Sequence, residues 1–131
     1  MKKIKQFIFL WGPVLVWMGI IFAFSSRPRI SVSETYIVNF LIFKLLHMIE
    51  YAILFLLLAR AFGKSMKNRK QAIIYALLFA VLYAISDEIH QTFIPTREGK
   101  IRDVLIDALG IAIMYVYIKR ENIFRAYGQK P

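Results

Sequence analysis

The stretch FIFLWGPVLVWMGIIFAF, residues 7–24, runs for 18 residues without a charged side chain. A hydrophobic segment of about 20 residues can cross the hydrocarbon core of a bilayer as an α-helix. The stretch follows three lysines, Lys2, Lys3 and Lys5, and a signal peptide also begins with basic residues. The apolar run is, however, longer than the hydrophobic core of a typical signal peptide. We therefore expect a retained transmembrane helix at this position.

Three further apolar stretches follow, separated by short loops, and a polar tail closes the chain after the last of them. In lipid each stretch must satisfy its own backbone hydrogen bonds, and four segments cannot close a barrel, so all four must be helical. Short connections place consecutive helices antiparallel. The sequence therefore predicts an all-α, membrane-embedded four-helix bundle of up-down-up-down topology. It forms a single domain over residues 1–131, with helices at about 7–24, 38–62, 72–91 and 103–119.

The composition excludes several classes of protein. Hydrophobic residues make up 59% of the 131 residues, more than a soluble domain of this size can bury. The absence of cysteine excludes a disulfide framework, a thiolate nucleophile and a cysteine-ligated metal. The net charge of +10 comes with no basic face or recognition motif, so we do not expect a nucleic-acid partner. The basic residues instead lie mostly between the apolar stretches, where they contact lipid headgroups.

The distribution of lysine and arginine predicts the orientation in the membrane. Alternate loops and ends divide the 18 basic residues into groups of twelve and six, and the richer side is the cytoplasmic one. We therefore expect both termini in the cytoplasm. The cytoplasmic group is Lys2, Lys3, Lys5, Arg60, Lys64, Lys67, Arg69, Lys70, Lys119, Arg120, Arg125 and Lys130, and the other is Arg27, Arg29, Lys44, Arg97, Lys100 and Arg102.

Polar residues distant in sequence meet toward the extracytoplasmic half in this arrangement. An ionisable residue inside a membrane costs about 2.5–3.5 kcal/mol on insertion scales and usually faces the bundle interior. The cost becomes tolerable when lysine and arginine pair with carboxylates, so we predict one polar pocket that opens to the outside. Its candidate residues are Lys44, His47, Glu50, Tyr51, Asp87, Glu88, His90, Gln91, Arg97, Asp103 and Asp107.

Helical periodicity assigns these residues to faces. Lys44, His47 and Tyr51 fall within about 60° of arc on the second helix. On the third helix, Asp87, His90 and Gln91 share an arc, and Glu88 points about 100° away from Asp87. On the fourth, Asp103 and Asp107 are one turn apart, and Gly110 follows about one turn later, where glycine permits close helix approach.

The chemistry of the pocket stays open at this level. His47 and Glu50 have the i,i+3 spacing of some metal ligands, but the pattern matches no defined metal signature, so no metal or other cofactor is predicted. A buried carboxylate beside a histidine can also move protons. No nucleophile motif accompanies the pair, so whether the protein is an enzyme stays open. A third reading is a purely structural or accessory membrane subunit.

The ordered landmarks of the chain resemble those of the VanZ-like family of small bacterial membrane proteins. No single motif carries the resemblance, which rests on the order of the set. The landmarks, from residue 24 to residue 110, are Phe24-Ser25-Ser26, Lys44-x-x-His47-x-x-x-Tyr51, Arg60, Asp87-Glu88-x-His90-Gln91-x-Phe93-x-Pro95-x-Arg97, Asp103-Val104 and Leu109-Gly110.

The resemblance implies a multi-pass protein of the bacterial plasma membrane that acts on the cell envelope. The family is named for a protein that gives resistance to teicoplanin, a glycopeptide that attacks cell-wall precursors. The implied partners are the lipid bilayer and a lipid-linked precursor or glycopeptide, and the implied ligand is an anionic headgroup. The chain departs from the family pattern at Thr96, where glycine is usual, and at Asp107, where asparagine is usual.

Overall fold

The computed structural model describes residues 2–28 and 34–121, which form four α-helices. They are α1 (Lys2–Ser25), α2 (Tyr36–Ser65), α3 (Arg69–Gln91) and α4 (Ile101–Glu121). The prediction of an all-α chain with four helices is confirmed for these residues. Each helix extends a few residues beyond its apolar stretch at one or both ends, because polar residues at helix ends continue the backbone hydrogen bonding. Arg29 and the predicted polar tail beyond Glu121, with Arg125 and Lys130, lie outside the described residues.

The outer surface of the bundle is apolar. Large side chains such as Phe9, Leu41, Leu82 and Leu105 are at least 60% exposed, and such residues occur on all four helices. This surface would be unfavourable in water but is well solvated by lipid. Within the described ranges, the three helices α1, α2 and α3 are long and apolar enough to cross a membrane. The chain is therefore a multi-pass membrane protein.

Helix α4 is not among these three because charged residues occupy both of its ends. Arg102, Asp103 and Asp107 lie in its first two turns, and Lys119 and Arg120 lie in its last turn. The aspartate in the first turn and the cations in the last turn complement the helix macrodipole and so stabilise the helical conformation. That α4 spans the membrane stays a prediction.

Small side chains line the buried face of α3. Ala72, Ala76, Ala80 and Ala84 recur every fourth residue and are fully buried. An alanine stripe lets the backbones of neighbouring helices approach closely, which increases van der Waals contact where lipid provides no hydrophobic force between helices. Helix α3 packs against α2 and α4 and touches α1 over a smaller area.

Helices α2 and α3 each contact the other three helices, and the most extensive packing in the bundle is that of α2 on α4. Over the described residues α1 packs on α2 and α3 but does not reach α4. Two of the long-range hydrogen bonds to α1 involve the middle of this helix. The Trp17 indole nitrogen donates to the Glu50 carbonyl oxygen at 2.9 Å, and the Tyr83 hydroxyl donates to the Met18 carbonyl oxygen at 2.7 Å.

The closest approach of α2 and α4 is at Gly110. A Cβ atom at this position would overlap the carbonyl oxygen of Met48. The backbones therefore meet here with no side chain between them, and the expectation of close helix approach at Gly110 is confirmed. On α2 the contact lies among the polar residues, between His47 and Glu50, and on α4 it lies about one turn beyond Asp107, so it fixes how the polar residues of the two helices face each other.

Replacement of Gly110 by alanine should destabilise the fold. We expect Gly110→Ala to lower the free energy of unfolding by about 1–3 kcal/mol, because one helix must move away from the other to admit the methyl group. Gly19→Ala is the matched control, since a Cβ there meets no atom within 4 Å. Unfolding in detergent micelles measures both variants, and equal effects of the two substitutions would contradict the close contact at Gly110.

Candidate functional site

Ion pairs join α2 to α4 at one end of the bundle. The Lys44 Nζ atom lies 2.5 Å from Asp103 Oδ2, and both side chains are largely buried. One turn further along, His47 Nδ1 lies 3.7 Å from Asp107 Oδ1 and 3.9 Å from Glu50 Oε2. The expected pairing of Lys44 with a carboxylate is confirmed. Lys44 and His47 are three residues apart on α2, and Asp103 and Asp107 are four apart on α4, so the two contacts lie one helical turn apart on the same interface.

Helix α3 adds buried polar residues to the same region. Asp87, Glu88 and Gln91 are 4%, 4% and 5% exposed, and the Gln91 side-chain amide donates to Asp87 Oδ2 at 3.0 Å. Asp87 lies close enough to act electrostatically on His47 and Glu50. These residues form what we call the polar cluster: Lys44, His47, Glu50, Tyr51, Asp87, Glu88, Gln91, Asp103 and Asp107.

Glu88 is buried although it points about 100° away from Asp87 around the helix axis. The loop before α4 folds back over this side of α3. The Lys100 backbone N–H donates to Glu88 Oε2 at 3.1 Å, and a Cβ atom at Gly99 would overlap the Glu88 carbonyl oxygen. Glu88 thus satisfies a backbone donor at the start of α4, where a negative charge is also favoured by the helix dipole.

Three buried polar atoms of the polar cluster have no hydrogen-bond partner within the described part of the chain, and one of them, Asp103 Oδ1, has the Arg102 Nε atom at 3.5 Å. The other two are the Tyr51 hydroxyl and Asp107 Oδ2, in residues that are 0% and 1% exposed. Buried polar atoms are almost always hydrogen-bonded, and each exception requires a physical explanation. The cluster reaches the surface nearby, because the side chains of His47 and Glu50 keep 15% and 19% of their surface accessible.

His90 lies apart from the polar cluster and faces α1. Its Nε2 atom is 3.0 Å from the Ser26 hydroxyl, and its ring stacks on Phe22 with 4.7 Å between the ring centres. The sequence placed His90 on the arc of Asp87 and Gln91. The structure separates them because α3 is enclosed by α1 on one side at this end and by α2 and α4 on the other.

Arg97 also faces α1, and it closes the carboxyl end of that helix. Its Nε and Nη2 atoms donate to the carbonyl oxygens of Arg27 and Phe24 at 2.6 and 3.0 Å, and Nη1 lies 3.4 Å from Gln91 Oε1. The last carbonyls of any helix lack intrahelical donors, and α1 has no basic residue in its last turn. The absence of a basic residue from this turn indicates that a donor from elsewhere in the chain satisfies these carbonyl groups.

A tight turn carries Arg97 into this position. The Arg97 N–H donates to the Ile94 carbonyl oxygen at 3.1 Å, with Pro95 and Thr96 as the two central residues. Thr96 has a φ of 67°, in the left-handed region. Proline followed by a residue of positive φ is the pattern of a type II turn, whose third position favours glycine. This geometry favours glycine at position 96, the residue that the resemblance implies there.

The two basic residues that follow Arg97, Lys100 and Arg102, also have partners within the chain. Lys100 pairs with Glu98 at 2.6 Å on the surface. The Arg102 guanidinium stacks over the Phe40 ring at 4.9 Å and lies 3.5 Å from Asp103 Oδ1. Across residues 2–28 and 34–121, no three or more histidine, aspartate or glutamate side chains are arranged to hold a metal ion.

Loss of the two hydrogen bonds from the Arg97 guanidinium to backbone carbonyls should weaken the packing of α1 on the bundle. We expect Arg97→Lys and Arg97→Gln each to lower the free energy of unfolding by about 2 kcal/mol, because neither side chain reproduces the two spaced donor nitrogens, Nε and Nη2, of the rigid guanidinium. Arg102→Gln is the control, since this arginine is largely exposed. Unfolding in detergent micelles measures all three variants. Full rescue by lysine would show that only the charge at position 97 matters.

Glycine at position 96 should relieve backbone strain. A left-handed conformation costs a non-glycine residue about 1–2 kcal/mol, partly offset by the greater entropy of glycine in the unfolded chain. We therefore expect Thr96→Gly to raise the free energy of unfolding by about 0.5–1 kcal/mol. Thr92→Gly is the control, because Thr92 has a φ of −62° and its hydroxyl donates to Ile89, so this variant should lose stability. A loss in both variants would contradict strain at Thr96.

Comparison with known proteins addresses the resemblance directly. No curated protein and no solved structure gives a significant match to the sequence. The family model described as VanZ/LLP1 matches residues 9–125, a range that contains nearly all of the four helices, the polar cluster and the turn that positions Arg97. The match spans most of the chain, and the protein therefore belongs to the VanZ/LLP1 family.

Proposed function

We propose that the chain is a single-domain protein of the bacterial plasma membrane in which all four helices span the bilayer in an up-down-up-down order. Side-chain contacts support this order. Trp11 meets Phe62 and Trp17 meets Glu50, so the numbers run in opposite directions along α1 and α2. Along α2 and α4 they rise together, from the Lys44–Asp103 pair to the contact of Phe55 with Tyr115.

The excess of basic residues at one end supports an orientation with both termini in the cytoplasm. In that orientation the polar cluster lies in the extracytoplasmic half of the protein. Lipid-linked cell-wall precursors and the glycopeptides that attack them are found on that side of the membrane. Family membership supports an action on the cell envelope.

We propose that the polar cluster binds the headgroup of a lipid-linked cell-wall precursor or a glycopeptide such as teicoplanin, and that this binding confers glycopeptide resistance. One observation carries the proposal. The Tyr51 hydroxyl and Asp107 Oδ2 are buried without a partner next to His47 and Glu50, where the cluster reaches the surface. A bound group that satisfies both atoms would offset the cost of leaving them unpaired in the bundle.

The charges of the cluster favour a particular kind of group. Five carboxyl groups lie together with one lysine and one histidine, and that lysine is paired with Asp103. Arg97 also acts electrostatically on His47 and Glu50, but its guanidinium donates to the end of α1 and to Gln91. An anionic headgroup would therefore meet mainly carboxylates. A hydroxyl, amide or ammonium group fits better, because it can donate to Asp107, and a hydroxyl or amide oxygen can also accept from Tyr51.

A membrane-embedded enzyme is the second candidate, and His47 is the observation that favours it. This histidine lies within 4 Å of carboxylate oxygens of Glu50 and Asp107, an arrangement that can orient an imidazole for proton transfer. An enzyme requires a titrating group at this position, so His47→Gln should abolish function completely. A binding protein should lose affinity only partly, because glutamine retains a hydrogen-bonding side chain of similar reach.

Removal of the unpaired hydroxyl should separate function from stability. We expect Tyr51→Phe to leave the free energy of unfolding unchanged or slightly higher, because it deletes a buried polar atom without a partner. The same variant should reduce teicoplanin resistance, measured as the inhibitory concentration for cells with and without the protein. Tyr83→Phe is the matched control. It breaks the bond to Met18, so it should lower stability by about 1 kcal/mol while resistance falls only as far as protein abundance does.

Three outcomes would contradict ligand binding at Tyr51, favour a structural role, or remove the role in glycopeptide resistance. Unchanged resistance in Tyr51→Phe at normal abundance would contradict a ligand on this hydroxyl. Resistance that follows abundance in every variant, His47→Gln included, would favour a structural or accessory subunit. Equal susceptibility of cells with and without the protein would remove the role in glycopeptide resistance and leave the membrane architecture.

A further inference from the structure

A groove of about 750 Å³ lies between α3 and α4, at the end of the bundle opposite to the polar cluster. It is formed by the first turns of α3 and the last turns of α4. Its lining divides into two chemical parts, a basic rim and an apolar floor. The rim is Arg69, Lys70 and Lys119, and the floor is Ile73, Ile74, Leu77, Tyr115 and Ile118.

The rim is suited to a negatively charged group. Its three cations come from two helices and converge on one opening. The amino end of α3 adds the positive end of a helix dipole at the same place. Asn68 caps that end, because its Oδ1 atom accepts from the backbone N–H groups of Lys70 and Gln71 at 3.0 and 3.2 Å. The cap fixes where α3 begins and so places the first two residues of the helix, Arg69 and Lys70, at the rim.

The floor is suited to a hydrocarbon chain. It runs down the apolar side of α3, a helix that is long enough to cross the membrane, and Ile74 is 54% exposed there. A soluble anion would make no use of these five apolar residues. A second copy of the chain would bring three more cations to the same opening, which like-charge repulsion disfavours.

We propose that this groove binds an anionic phospholipid, with its phosphate at Arg69, Lys70 and Lys119 and one acyl chain along the apolar floor. A phospholipid places a negative charge and a hydrocarbon chain at the depths where rim and floor lie. The basic residues near a membrane surface attract anionic lipid, each strengthening binding by a factor of about five. This site is separate from the polar cluster, and the inference holds in either orientation of the protein.

The test of the rim compares two lipids with the same oleoyl chains. Purified full-length protein in detergent micelles is titrated with dioleoylphosphatidylglycerol or dioleoylphosphatidylcholine, and bound lipid is counted by native mass spectrometry. The wild type should retain the anionic lipid in preference to the zwitterionic one. The triple variant Arg69→Gln, Lys70→Gln, Lys119→Gln should reduce that preference at least about tenfold.

A matched triple variant separates the groove from the overall charge. Lys64→Gln, Lys67→Gln and Arg120→Gln remove three exposed basic residues near the same end that do not line the groove. This variant should keep the preference of the wild type. Equal losses in the two triple variants would overturn the proposal, because the effect would then follow net charge alone.

A second pair of variants tests the floor. Ile74→Trp should fill the groove and reduce the number of bound molecules of either lipid, whereas Leu82→Trp, on an exposed part of α3 outside the groove, should not. Competition by soluble glycerol phosphate as effective as that of the lipid would overturn the proposal, since the floor would then contribute nothing. A wild-type dimer that Ile74→Trp dissociates without loss of lipid would also overturn it in favour of a second copy.

Discussion

Lipid surrounds this bundle, and lipid is as apolar as the helices it solvates, so hydrophobic burial cannot hold the helices together. Close backbone approach and polar contacts must do so instead. The bundle contains both kinds of contact, at different positions along the helices. The alanine stripe of α3 and the Gly110 crossing provide close approach, and the Lys44–Asp103 pair provides a polar contact at one end of the α2–α4 interface.

Because polar contacts help to hold the helices together, a polar residue of the bundle can have a structural role or a ligand-binding role. The two roles must be distinguished. Lys44, Asp103, Glu88 and Arg97 have structural roles on the evidence of their contacts, because each satisfies a charge or a helix end. Removal of one partner from such a buried pair is costly whether or not a ligand exists. Loss of function on mutating these residues would therefore say little about binding.

The sequence predicted what depends on local pattern. Apolar stretches of sufficient length predicted four helices, and the spacing of Lys44 and His47 on one face predicted their common direction. It did not predict which neighbour each side chain meets. The placement of His90 against α1 depends on how three helices enclose α3, and the contact of Arg97 with α1 depends on a turn 70 residues away in sequence from its acceptor. Such contacts follow from tertiary packing, which periodicity within one helix does not encode.

The stability of helix α4 explains the charged residues at its two ends but not Asp107. Asp103 at the start of α4 and Lys119 near its end complement the helix dipole, and Asp103 also neutralises Lys44. Asp107 sits one turn deeper, where the dipole has little effect, and one of its oxygens has no donor within the described chain. The family usually has asparagine there, which would supply an amide donor of its own. A carboxyl group in its place gives up that donor and joins a cluster that already holds four other carboxyl groups. The helix dipole and the ion pairs thus account for Asp103 and Lys119, whereas Asp107 Oδ2 is the buried atom on which the proposed ligand site rests.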